Sequence, residues 1–88
     1  MRVNPNFELV NMADDYILVP IGEQMESFNG TVVLNEVSSF IFERLEKDQT
    51  EEKLVNSLMD EFEVDSNTAR TDVHKALSEM RKLGIIYE

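Results

Sequence analysis

Between Thr31 and Leu45 the chain changes its periodicity at a single residue. Thr31-Val32-Val33-Leu34 is β-branched and apolar, the composition of a strand. Val37, Phe40, Ile41 and Leu45 recur at helical spacing and share one face. Asn35 separates the two. Its side-chain oxygen can accept from the free amides of a first helical turn, and Glu36 follows where the helix dipole favours negative charge. The spacing predicts a first helix over about 36–46. A strand that turns so directly into a helix must bury both apolar faces in one core, which restricts the fold to packed layers of sheet and helix.

Upstream, Phe7 to Met12 alternates in part, with Phe7, Leu9 and Asn11 on one side and Glu8, Val10 and Met12 on the other. Ala13-Asp14-Asp15 reads as a turn, and Tyr16 to Val19 as a second strand that Pro20 ends or places at an edge. Residues 1–6 read as a loose entry and Gly22 to Ser27 as polar loop. Phe28 is expected to open the third strand, with Asn29-Gly30 as a bend or bulge before Thr31 to Leu34. The short connections favour an antiparallel three-stranded meander.

Downstream, Thr50 is placed to cap a second helix whose stripe is Leu54, Val55, Leu58, Met59 and Phe62. Asp65 is placed to cap a third, with Ala69, Val73, Ala76, Leu77, Met80 and Leu83 as its core face. Val64 and Ala69 can pack as a staple, and Gly84 closes the helix in a left-handed conformation. Ile85 to Tyr87 is an apolar tail expected to pack back on the core. The expected fold is α+β and winged helix-turn-helix-like: a three-stranded antiparallel sheet followed by three helices, one domain over 1–88.

Eighty-eight residues, 42% of them apolar, support one modest core and leave little room for a deep catalytic cavity. With no cysteine, disulfides, thiolate metal sites and thiol nucleophiles are excluded. The lone histidine, His74, cannot build a zinc site by itself. Ser38 and Ser39 read as helix-surface serines, the three glycines form no phosphate loop, and the acidic pairs at 14–15 and 51–52 read as turn and helix start. An Asp65-Ser66 pair resembles a carrier-protein attachment site only in its first two residues, and capping accounts for it. A catalyst, a cofactor and a metal are therefore not expected. No stretch has signal-peptide or membrane-span length, so a cytoplasmic setting is expected.

The formal charge of −10 repels phosphate backbones and anionic lipids. Half of the eight Lys and Arg residues lie in the third helix: Arg70, Lys75, Arg81 and Lys82. At about 100° per residue, Arg70, His74 and Arg81 line one flank of its apolar stripe beside Leu77, and Asp72 and Glu79 line the other. The basic flank either balances an acidic neighbouring helix or forms a docking strip for an acidic, partly apolar peptide.

"PIGEQMESFNGTVVLNEVSSFIFERL" followed by "TEEKLVNSLMDEFEVDSNTARTDVHKALSEMRKLGII" resembles the PqqD-like family of pyrroloquinoline quinone biosynthesis. "LNEVSSFIFERL" at 34–45 is similar to the family's Leu-Asn-Glu and aromatic helix, and residues 61–86 to its acidic start and Leu-Gly end of the third helix. Val37-Ser38-Ser39 and Phe42 depart from it, standing where small residues and a tryptophan are frequent. The resemblance implies a RiPP recognition element: a non-catalytic domain that binds the leader of a ribosomally made precursor peptide and presents it to a modifying enzyme, often a radical SAM protein. It also implies that the leader adds as a strand beside Thr31, Val32, Val33 and Leu34 and lies against the third helix. On that helix the wheel selects Arg70, Val73, His74, Leu77 and Arg81, although the Asp72 and Glu79 flank could instead face the groove. A winged-helix DNA-binding regulator is the alternative that the architecture permits and the charge disfavours. An open strand edge is compatible with a monomer or a dimer.

Overall fold

Antiparallel pairing of Phe7–Met12 (β2) with Asp15–Pro20 (β3) sets up the main sheet of this computed structural model, which describes residues 1–22 and 30–87. The register Phe7↔Pro20 to Met12↔Asp15 closes on the two-residue loop Ala13-Asp14. Ala13 takes φ +58, so that the loop's twist matches its strands. Leu9↔Leu18 places the apolar alternates of both strands on one face, and Leu18 is fully buried there. Pro20 sits at the strand end, where its missing N–H costs no ladder bond. Val32–Leu34 (β4) pairs with β3 in the register Tyr16↔Leu34 to Leu18↔Val32 and completes the order β2-β3-β4. Thr31 lies just outside this strand, and the expected start at Phe28 and Asn29 falls outside the described residues.

All three capping expectations hold. Ser38 N–H donates to Asn35 Oδ1 at 2.8 Å and opens Glu36–Arg44 (α1). Lys53 N–H donates to Thr50 Oγ1 at 3.2 Å and opens Glu51–Phe62 (α2). Thr68 N–H donates to Asp65 Oδ1 at 2.7 Å and opens Ser66–Lys82 (α3). Gly84, at φ +74, ends α3 as the sequence predicts. Glu63 ends α2 at φ +52, a left-handed position that glycine usually takes.

The helical stripes meet the inner sheet face in one core that includes Phe7, Leu18, Ile41, Leu58, Leu77 and Ile85. Phe62 meets Phe40 edge to face at 5.5 Å, and the Arg44 guanidinium lies 4.9 Å from the Phe40 ring centre.

Two expectations are corrected. Residues 1–6 are not a loose entry: Arg2–Val3 (β1) pairs antiparallel with Ile86–Tyr87 (β5) as a second small sheet. Asn4 follows, 2% exposed, donating its backbone N–H to Ile85 O and its side-chain amide to Gly84 O. These partners come from the opposite end of the chain, where no local pattern points to them. Ser39 is not a surface serine but is 3% exposed. Its hydroxyl donates to Glu36 O at 2.9 Å, so burial leaves no polar atom unpaired.

Candidate functional site

β4 ends the sheet order, and among the described residues no strand covers its outer side. The direction of its backbone groups follows from the ladder. Ile21 N–H donates to Asn6 O at 2.7 Å, one step beyond Phe7↔Pro20. Bonded and non-bonded pairs alternate in an antiparallel ladder, so Val10↔Ile17 is a bonded pair and Ile17 turns its N–H and C=O toward β2. Tyr16 and Leu18 then bond across to Leu34 and Val32. Val33 is left with both backbone groups directed at the open edge, and its side chain, 65% exposed, stands on the sheet face away from the helices.

On the helix side, a cavity of about 100 Å³ lies between this edge and α3. Val32, Leu34, Ala76, Met80, Leu83 and Ile85 form its apolar walls, and Glu79 and Ser38 also line it. The adjoining hollow continues along α3 past Asn35, Ser38, Glu79, Lys75 and Asp72. At the Leu34 end of β4 a third hollow brings in Glu36, Asp14 and Asp15.

This geometry separates the expected site residues. Val32, Val33 and Leu34 share the edge, and Thr31 is exposed immediately before it. Val73 and Leu77 are fully buried in the core and present no surface. Arg70 turns to α2, its guanidinium bound to both carboxylate oxygens of Glu52 at 2.8 and 2.9 Å. The hydrogen bonds and charge of that pair hold the Glu52 carboxyl below its ordinary range and push Arg70 up. His74 stands 3.9 Å from Glu51, also on α2. Arg81 reaches Met1 Sδ at 3.7 Å, near the amino terminus. The basic flank thus faces α2 and the chain's beginning, while Glu79 lines the β4 cavity and Asp72 lines the adjoining hollow beside Asn35, Val37 and Ser38. A helical wheel places two flanks symmetrically about one stripe; only the docking of α2 decides which flank it covers. Ile85 owes its place in the cavity to the turn at Gly84, a contribution the wheel does not contain, and Leu83, expected in the core face, is instead 42% exposed at the cavity's edge.

Among the described residues no three His, Asp or Glu side chains converge to hold a metal, and no helix is long and apolar enough to cross a membrane. Residues 15–86, from the first residue of β3 into β5, match the family described as coenzyme PQQ synthesis protein D (PqqD). The chain belongs to the PqqD family. β3, β4 and all three helices fall within the matched span, whereas β1 and β2 precede it. No curated protein matches the chain.

Two solved structures show that its PqqD fold recurs. One is described as TbiB1 in complex with the TbiA(beta) leader peptide; it has a TM-score of 0.73 and 21% identity, over 100% of this chain and 99% of that one. The other is a lasso peptide synthetase B1 complexed with the leader peptide, with a TM-score of 0.75 and 18% identity, over 99% of this chain and 96% of that one.

Proposed function

We propose that this PqqD-family chain is a non-catalytic recognition domain, spanning 1–88, that binds the leader segment of a ribosomally synthesised precursor peptide. The leader adds as a strand beside β4 and is thereby presented to a modifying enzyme, of which a radical SAM protein is the expected kind. The observation that carries this reading is the outward N–H and C=O of Val33 on an edge bordered by the α3 cavity. A guest backbone satisfies such an edge whatever its sequence, and side-chain hollows beside it supply selection. Both fold relatives named above were solved with leader peptides, which supports the same use here. Ordering a flexible leader costs about 2–5 kcal/mol, so moderate affinity is expected.

Titration of ¹⁵N-labelled protein with the precursor peptide encoded beside its gene tests the reading. Amide shifts concentrated at Val32, Val33 and Leu34 are expected. Saturable binding that leaves those amides unmoved would overturn strand addition.

A further inference from the structure

The β4 edge is polar at one end and apolar at the other. Near Val32 the cavity walls are aliphatic, formed by Met80, Leu83 and Ile85. Glu79 also lines this cavity, the adjoining hollow beside Asn35 adds Asp72, and the hollow beside Leu34 and Asn35 holds Glu36, Asp14 and Asp15. Among the described residues none of these carboxylates forms an ion pair. Lys75 is the only cation among the described residues in the hollow that holds Asp72 and Glu79, so carboxylates outnumber it there. The molecule's −10 charge adds in the same direction.

Strand geometry converts this polarity into a spacing. A guest residue paired with Val33 turns its side chain to the outer sheet face, because directly paired residues point the same way. Its two neighbours, separated by two positions and about 7 Å, both turn toward α3. One stands over the aliphatic cavity beside Val32, the other over the carboxylates beside Leu34. At roughly 30 Å³ per water-sized group, a cavity of about 100 Å³ takes three or four heavy atoms, the size of a Val, Ile or Leu side chain.

Resting on the leader-binding reading above, we infer that the leader selected by this chain carries an aliphatic residue and a Lys or Arg two positions apart on the strand that joins β4. The aliphatic side chain fills the Val32–Leu83 cavity, and the cation meets Glu79 with Asp72 or Glu36. This reverses the acidic ligand that the basic flank of α3 suggests from sequence, since Arg70 and His74 are turned to α2.

A random display library of 12-residue peptides, selected on the immobilised protein at low salt, tests the inference. Enriched peptides should share the aliphatic–X–basic pattern in either direction and shift the Val33 amide. Replacing the basic residue of a selected peptide by Glu should weaken binding at least tenfold, and 0.5 M salt should shrink the difference. In the Asp72→Lys/Glu79→Lys protein the preference should move to acidic peptides. Peptides that shift the Val33 amide yet show no preference for a basic residue would overturn this inference and leave strand addition standing. Selected peptides that leave the Val33 amide unmoved, or a selection that enriches none, would count against both.

Discussion

Asn4 Nδ2 donates to the Gly84 carbonyl at 3.1 Å across a separation of 80 residues. The same side chain accepts from Asn6 N–H through Oδ1 at 2.9 Å, and the Asn4 backbone N–H donates to Ile85 O at 2.7 Å. One buried asparagine therefore fastens the beginning of the chain to the turn that ends α3. That turn also sets the position of Ile85 in the β4 cavity.

Replacing Asn4 by Ala or Leu strands the Gly84 carbonyl and the Asn6 amide without these partners. Gly84 is exposed and Asn6 half-buried, so water takes the place of the amide and each lost hydrogen bond costs about 0.5–1.5 kcal/mol. A domain of this size loses roughly 4–8 °C of Tm per kcal/mol, so a thermal melt by circular dichroism reads the effect directly. An unchanged Tm would show that the strap contributes nothing to stability.

Val33→Pro removes an outward N–H and leaves the bonded pairs Tyr16↔Leu34 and Leu18↔Val32 with their donors. The variant should fold, with its melt close to wild type, and bind the precursor leader at least several-fold more weakly. Calorimetric titration of both proteins makes the comparison. Equal affinity in the folded variant would refute strand addition at this edge.

Glu63 closes α2 at φ +52 with no glycine's freedom, and its N–H donates to Met59 O at 3.0 Å. The left-handed conformation costs an ordinary residue about 1–2 kcal/mol. Glu63→Gly should therefore stabilise the fold by a little under that amount, less the entropy that glycine loses on folding. Chemical denaturation should show a higher midpoint at an unchanged slope.

Asp65 accepts from the Thr68 amide, and that bond holds its carboxyl below the ordinary 3.8. A carboxyl lowered in the folded state stabilises above its unfolded value, and the contribution fades as pH falls through the folded one. Asp65→Asn keeps an accepting oxygen but does not titrate. The Tm of wild type relative to this variant should hold steady from pH 7 to about 5 and decline below about 4, where Asp65 takes up its proton. Comparing the two proteins cancels the relief of self-repulsion that this acidic chain undergoes on acidification. A difference independent of pH would contradict the capping role of the ionised form.

Much of the fold was legible in residue order because its determinants are local. Asn35, Thr50 and Asp65 each cap the turn that directly follows them, and Leu9 and Leu18 alternate to the inner face by strand periodicity alone. That Val32, Val33 and Leu34 form a strand was legible in their composition, whereas the open side of that strand is a property of the sheet order. The wheel separated the Arg70 and His74 flank of α3 from the Asp72 and Glu79 flank and left open which of them borders the groove, since angular position about an axis does not say which neighbour lies on which side. Ser39 was read as exposed because nothing in its own turn reports what packs over it.

The sequence by itself determined where the three helices begin, most of their apolar stripes, and that the chain is acidic. Those properties depend on neighbours within a few positions and on side-chain chemistry. Tertiary structure alone decided that Arg70 and His74 turn to α2 while Glu79 borders β4, and that Asn4 binds Gly84. Each of these is a meeting of distant segments, set by how the stripes pack against one another, and no short-range pattern encodes that packing.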